Sequence, residues 1–220
     1  MDIPPAIAAI APDGQLTPAQ RRRIMIDICR RRIRPGSGSA LEFLHRRTAM
    51  ESWPDLRPVL HDLPWAVVGA VATRAYMPER ATRDIDILVR RQDGEKVKER
   101  LEAAGYQLVS PLAMPGFLFR SPEGIEVDVI FGQYPWLRDA MAHLRHDPAG
   151  LPVLDLPYLV LMKLDAARAQ DTADLSRMLG LASDKELDRV RAAVARYAPD
   201  TVGDLESLIY LGKLEIDSAR

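Results

Sequence analysis

The sequence of 220 residues contains one cysteine, Cys29, and only four histidines. A single cysteine cannot form an internal disulfide, and it cannot supply the paired thiolates of a structural zinc site. The sequence also lacks any apolar stretch of about 18 residues, the minimum for a transmembrane helix. The first twelve residues do not have the basic start of a signal peptide. We therefore expect a cytoplasmic protein that does not interact with membranes.

Charge of either sign is not in excess, because 30 Lys and Arg residues balance 31 Asp and Glu residues and leave a net charge of -1. Such a protein has no general affinity for polyanions, so any attraction to phosphates must be local. The exception is residues 21–34, where seven arginines accompany one aspartate on a predicted helix whose apolar face holds Ile24, Ile28 and Cys29. This helix is a solvated surface, an element that follows RNA phosphates, or a docking face for an acidic protein.

The hydrophobic pattern changes twice along the chain and predicts three regions. Residues 1–61 show capping signals typical of helices, including helices over 18–34 and 40–52. Residues 62–150 alternate short apolar segments with helical ones, and residues 151–220 are again helical. The pattern predicts an α/β (α+β) fold in which helices flank a small mixed sheet, with helical regions at both ends. The predicted strands are 65–68, 84–90, 106–110, 117–120 and 125–131.

Three carboxylates on predicted strands form the main candidate site. Asp84 and Asp86 alternate with isoleucines, so both point to one face of their strand. Asp128 alternates in the same way on another strand, and a spacing of about 4.8 Å between strands would bring it to the same place. Crowded carboxylates repel one another unless they bind a hard cation such as Mg²⁺, which prefers oxygen ligands. The alternative for Asp84 and Asp86 is that they are ordinary surface acids of an edge strand.

A candidate phosphate site precedes these acids. The strand over 65–68 ends at Gly69 and Ala70, small residues that let the backbone at a helix start approach a phosphate. Arg80 and Thr82 then place a cation and a hydroxyl directly before the acid pair. A phosphate site beside a metal site is the arrangement that phosphoryl and nucleotidyl transfer require.

The order of these motifs resembles the DNA polymerase β-type nucleotidyltransferase superfamily, whose members have a G-[GS] turn, a spacer, D-x-D and a later aspartate. Residues 163–175 read K-L-D-A-A-R-A-Q-D-T-A-D-L. This segment is similar to the K-x-x-A-x-R-x-x-D-x-x-D-L signature of minimal and AbiEii-like bacterial nucleotidyltransferases, several of which act as toxins of type IV toxin–antitoxin systems. The resemblance covers residues 62–182.

The resemblance implies a Mg²⁺-dependent enzyme with a nucleotidyltransferase palm sheet, which moves a nucleoside monophosphate from an NTP to an acceptor hydroxyl. Asp84, Asp86 and Asp128 would hold the metal, and Lys163 would contact phosphate during catalysis. Ala70 departs from the family, which has Gly or Ser there, and this predicts weakened or altered NTP binding. The other implied substrate-binding residues are Gly69, Arg80, Thr82, Arg168 and Asp171.

Some of the implied residues also have a simpler interpretation. Lys163 lies on an apolar helix, from which it could extend its ammonium group to solvent. Asp171 and Asp174 have the spacing of an N-cap and an N3 residue, so helix capping would explain both. Arg80 and Arg168 could be ordinary partners of neighbouring acids.

The resemblance leaves the acceptor open between the 3′ end of a tRNA, a protein hydroxyl and an antibiotic hydroxyl, as in related resistance enzymes. It also implies a cognate antitoxin, which the basic helix could dock if that helix does not bind RNA. The alternative from another class is a nucleotidyltransferase fold without catalysis that serves as a partner-binding or regulatory module. Ala70 slightly favours this module, whereas the three retained carboxylates favour the enzyme.

Overall fold

The computed structural model describes residues 3–32, 53–78 and 82–217 of the chain. The predicted helix over 40–52 and the candidate residue Arg80 lie outside this described part.

Two compact units make up the chain. One is formed by Ala40–Leu159, and the other combines Met1–Ser39 with Val160–Arg220. The division into residues 1–61, 62–150 and 151–220 that the sequence suggests stays a prediction.

A mixed β-sheet forms the centre of the unit Ala40–Leu159. In the described residues its strand order is β3-β4-β5-β2-β1-β7-β6. The inner strand β2 runs parallel to β5 on one side and antiparallel to β1 on the other. The α/β prediction is confirmed. The strands are β1 Trp65–Val68, β2 Asp84–Arg90, β3 Gln107–Pro111, β4 Gly116–Arg120, β5 Glu126–Gly132, β6 Arg145–His146 and β7 Pro152–Val153.

Helices follow the strands in this unit and make up most of the other. None of those in the described residues is long and apolar enough to cross a membrane. The helices are α1 Pro5–Ala8, α2 Pro18–Arg32, α3 Gly69–Ala72, α4 Gly94–Ala103, α5 Leu137–Ala142, α6 Leu156–Ala166, α7 Ala169–Leu181, α8 Asp184–Tyr197 and α9 Val202–Asp217.

The burial pattern of strand β2 explains why this strand could be predicted from the sequence. Ile85 and Ile87 are completely buried, whereas Asp84 and Asp86 on the opposite face are half-buried. This alternation is the period-two pattern of a strand with one apolar face. The sequence analysis did not predict β6 and β7, because two-residue strands are too short to show a period.

Helix α2 packs differently from the prediction. Arg22 is 3% exposed; it pairs with Asp204 at 3.2 Å and donates a hydrogen bond to the carbonyl of Leu164. Ile26, one turn later, is also buried, whereas Ile28 is 44% exposed. The predicted apolar face with Ile28 is therefore wrong, because a paired arginine and Ile26 occupy the buried side instead.

Helices α7 and α9 approach closely where each has a glycine. A Cβ atom added to Gly180 would lie 2.5 Å from the carbonyl oxygen of Gly212. A Cβ atom added to Gly212 would overlap the carbonyl oxygen of Ser176 and lie 2.8 Å from the amide nitrogen of Gly180. These contacts are with rigid backbone, so a methyl group at either position must push the helices apart.

We expect Gly212→Ala to destabilise the protein by about 1–3 kcal/mol, the usual cost of overpacking a tight contact. The control is Gly203→Ala on the same helix, where an added Cβ meets no atom within 4 Å. Because alanine favours helix more than glycine does, this control should leave stability unchanged or slightly raised. Urea denaturation measures both. Equal destabilisation by the two variants would show that α7 and α9 do not pack through Gly212.

Candidate active site

The pairing of β2 with β5 brings the predicted acids side by side. Asp86 lies directly opposite Asp128 in the parallel register, and Asp84 lies opposite Glu126. On the other side of β2, Val68 at the end of β1 is the register partner of Asp86. The acid pair therefore lies next to the point where β1 ends and the chain turns into α3.

Gly69 occupies that turn, and its lack of a side chain is required there. Its φ of +63° belongs to the left-handed region, which other residues rarely adopt. A Cβ atom at this position would fall 2.6 Å from Cγ of Asp86. The Asp86 carboxylate thus lies against the backbone of the turn, which is where the sequence predicts triphosphate contacts.

Electrostatics at the acids is unfavourable to negative charge. Burial raises the pKa of Asp128 above its ordinary value, and the negative charges of Asp84 and Glu126 raise this pKa further. The hydroxyl of Thr82 donates a hydrogen bond to the carboxylate of Asp84. Thr82 therefore lies next to the acid pair, where a residue of the substrate site is expected. A positive charge among these acids would relieve the repulsion.

The donor chemistry of Asp84, Asp86 and Asp128 fits a hard divalent cation, since all three offer half-buried carboxylate oxygens on one part of the sheet. Within residues 3–32, 53–78 and 82–217, no group of three or more His, Cys, Asp or Glu side chains is drawn together as a metal site. The assignment of the three acids as metal ligands therefore stays a prediction.

Ala70, the departure from the family pattern, is 5% exposed. Its carbonyl accepts a hydrogen bond from the hydroxyl of Thr73 at 2.6 Å. The methyl group of Ala70 packs in the interior, so a nucleotide could meet only the backbone of this residue. A buried methyl group also explains why alanine is suitable here, because a serine hydroxyl would need a buried partner.

The second set of predicted residues forms a buried cluster in the helical unit. Lys163 is 3% exposed, and its Nζ lies 2.8 Å from Oδ2 of Asp174 and 3.2 Å from Oδ1 of Asp171. Arg168 donates to Asp171 through Nε at 2.7 Å. The interpretation that Lys163 extends to solvent is wrong, because its ammonium group is needed to neutralise two buried carboxylates.

Asp171 and Asp174 have different roles in this cluster. Asp171 is the N3 residue of α7, and its carboxylate accepts a hydrogen bond from the backbone N–H of the N-cap residue Arg168. Burial would raise the pKa of Asp171, but the hydrogen bond from Arg168 and the charge of Lys163 outweigh burial and hold the pKa below its ordinary value. Asp174 lies inside the helix, where it also accepts from Gln170. Asp171 therefore caps the helix as its N3 residue and not as the predicted N-cap, and the capping interpretation is wrong for Asp174.

The structure brings the predicted residues together in two groups, one in each unit. Glu126 is an addition to the sheet group that the sequence analysis did not single out. Its signal was present, because Glu126 and Asp128 repeat on β5 the alternation of Asp84 and Asp86 on β2. The sheet group contains Gly69, Ala70, Thr82, Asp84, Asp86 and Asp128, and the helical group contains Lys163, Arg168 and Asp171.

Residues 55–219 match the family described as "Nucleotidyl transferase AbiEii toxin, Type IV TA system". The chain belongs to this family, and it is a nucleotidyltransferase, an enzyme that transfers a nucleoside monophosphate. No curated protein matches the chain.

The chain is similar to the solved structure of the antibiotic-resistance factor ANT(2'')-Ia, with 14% identity and a TM-score of 0.39 over 72% of this chain and 86% of that one. Another is terminal uridylyl transferase 4 from Trypanosoma brucei with bound GTP, with 12% identity and a TM-score of 0.29 over 92% of this chain and 71% of that one.

We expect Gly69→Ala to lower nucleotidyl transfer by about 100-fold or more, because the new methyl group must displace the Asp86 carboxylate. The matched control is Gly124→Ala, which has a φ of +88° and no atom within 4 Å of an added Cβ. Both variants should lose about 1 kcal/mol of stability through backbone strain. Thermal melts and transfer rates together test this. Full activity of Gly69→Ala would show that Asp86 need not lie against the turn.

Proposed function

We propose that the protein is a Mg²⁺-dependent toxin that transfers a nucleoside monophosphate from an NTP to a hydroxyl of RNA, with the 3′ end of tRNA as the acceptor. The observation that carries this proposal is the adjacency of Asp86 and Asp128 beside the Gly69 turn. Two facing carboxylates next to the half-buried backbone of a glycine turn are the elements needed to place a cation against a triphosphate.

In the proposed mechanism, Asp84, Asp86 and Asp128 hold the metal ion. A bound divalent cation neutralises charge on the triphosphate and favours ionisation of the acceptor hydroxyl. Thr82 orients the Asp84 carboxylate through its hydroxyl. Gly69 and Ala70 offer backbone N–H groups to the phosphates, and the missing side chain of Gly69 keeps the Asp86 carboxylate close to them.

The helical cluster contains the other residues that we assign to substrate binding. Two of the three N–H donors of Lys163 point to Asp171 and Asp174, and we assign the third to a phosphate oxygen. Asp171 positions both Lys163 and Arg168, whose exposed guanidinium group would contact the substrate. Arg80 completes the proposed set from outside the described residues.

An RNA acceptor is supported by helix α2. Four of its arginines are exposed, so their charges are available to a polyanion. Arg22 does not contribute, since it is buried against Asp204. The family description supports a toxin role and hence a cognate antitoxin. Helix α2 would be the docking surface for this antitoxin if it does not bind RNA. The exposed set is Arg21, Arg23, Arg30 and Arg31.

The test is transfer of label from each NTP, with Mg²⁺ and either total tRNA or cell lysate, by wild type and by Asp84→Asn, Asp86→Asn and Asp128→Asn. We expect labelled tRNA with the wild type and a loss of at least about 100-fold in each variant, because a ligand of the cation is removed. The control, Glu126→Gln, removes a neighbouring charge that is not assigned to the metal and should retain most activity.

The stability of the same variants distinguishes a loss of catalysis from a loss of folded structure. Removing one of several repelling carboxylates should leave the metal-free protein as stable as wild type or slightly more stable. If the label appears in protein instead of tRNA, the acceptor is a protein hydroxyl and the proposed tRNA acceptor is wrong. If no NTP is used by wild type and all three Asn variants melt several degrees lower, the acids are structural and the chain is a binding module.

A further inference from the structure

A second concave site lies at the other end of β2 and β5 from the acids. It is an open cavity of about 620 Å³, within the range of about 300–1,000 Å³ typical of small-molecule sites. Its walls come from the residues that end β2, the residues that end β5, and helix α5. Arg90 faces Gly132 across the two strands, four residues beyond the pair Asp86 and Asp128. At about 3.3 Å per residue, the cavity begins about 13 Å from the acids.

Positive charge dominates this cavity. Its lining includes three arginines and no acidic residue. Arg90 is already paired with Asp93. Among the described residues, Arg91 donates to the neutral side chain of Gln133, at 3.0 Å, and pairs with no carboxylate. Arg138 is exposed and has no ion-pair partner among the described residues.

Arg91 and Arg138 are therefore two guanidinium groups directed to one cavity without neutralising acids. Guanidinium groups bind phosphate oxygens with two parallel hydrogen bonds, which makes arginine the residue typical of phosphate recognition. A phosphate group is thus the anion that the charged part of the cavity fits best.

The rest of the lining is suited to a planar polar ring. Leu137 and Met141 of α5 provide an apolar wall, and Met141 is half-buried with a surface that remains accessible. Gln92 and Gln133 add amide groups, which both donate and accept hydrogen bonds. Apolar walls with a few polar groups are typical of pockets that bind a ligand in one orientation.

We propose that this cavity binds a nucleoside phosphate unit, with its phosphate on Arg91 and Arg138 and its base against Leu137 and Met141. Such a unit is available from a free nucleotide or from a nucleotide within an RNA strand. Arg90 projects from the same face of β2 as Asp84 and Asp86, because alternate residues of a strand share a face. The assignment does not depend on catalysis at the acids.

The test is equilibrium binding to the full chain in EDTA, so that metal-dependent binding at the acids does not contribute. The probes are the four nucleoside monophosphates, a short single-stranded RNA and inorganic phosphate. Arg91→Gln and Arg138→Gln should each weaken nucleotide or RNA binding by about tenfold, the effect of losing one charge-assisted hydrogen bond. The control Arg189→Gln removes an exposed charge on α8 and should change neither nucleotide binding nor RNA binding. Met141→Ala should weaken nucleotide binding without weakening binding of inorganic phosphate.

Each outcome bears on the proposal. Binding of a mononucleotide that both arginine variants weaken supports it with a free nucleotide as ligand. Binding of RNA alone, weakened in the same way, supports it with RNA as the source of the unit. The proposal is overturned if no nucleotide or RNA binds, if the arginine variants bind as wild type does, or if inorganic phosphate binds as tightly as the nucleotides. These conclusions hold even if the protein shows no transfer activity, because the binding measurements do not depend on catalysis.

Discussion

Parallel pairing of β2 with β5 is the constraint on which the candidate active site depends. The register is held by apolar residues of the opposite face, such as the fully buried Ile85 and Ile87, and it fixes Asp86 beside Asp128 regardless of their like charge. Burial and the neighbouring acids then raise the pKa of Asp128. The hydrophobic core thus stabilises a concentration of carboxylates that would otherwise separate, and a cation would lower its free energy.

The helical unit treats buried charge in the opposite way. Lys163 and Arg168 neutralise Asp171 and Asp174 within the unit, and the pKa of Asp171 is lowered accordingly. Removing Lys163 from this cluster would cost about 3–5 kcal/mol, because it would leave buried carboxylate charge uncompensated. The two groups of acids therefore differ in the charge of their neighbours. Those of the helical unit have internal partners of opposite charge, whereas Asp128 is surrounded by negative neighbours.

Much of the fold could be predicted from the sequence where periodicity is strong. Strand β2 occurs at the predicted residues, and Ser183 with Glu186 forms a capping box at the start of α8. The partners of long polar side chains could not be predicted. Arg22 was assigned to the exposed side of its helix and Lys163 could have extended to solvent, but both are buried against carboxylates far along the chain or on the next helix. Local sequence carries no information about such tertiary partners. The cavity beyond Arg90 was missed for the same reason, because its lining comes from three separate segments.

The most direct test of the account is a crystal structure of the wild-type protein with Mn²⁺ and a non-hydrolysable NTP. The anomalous signal of the metal identifies its position directly. The account predicts a metal peak between the carboxylates of Asp86 and Asp128, with the triphosphate along the backbone of Gly69 and Ala70. A metal and nucleotide bound elsewhere, with the carboxylates of Asp86 and Asp128 free of both, would contradict it.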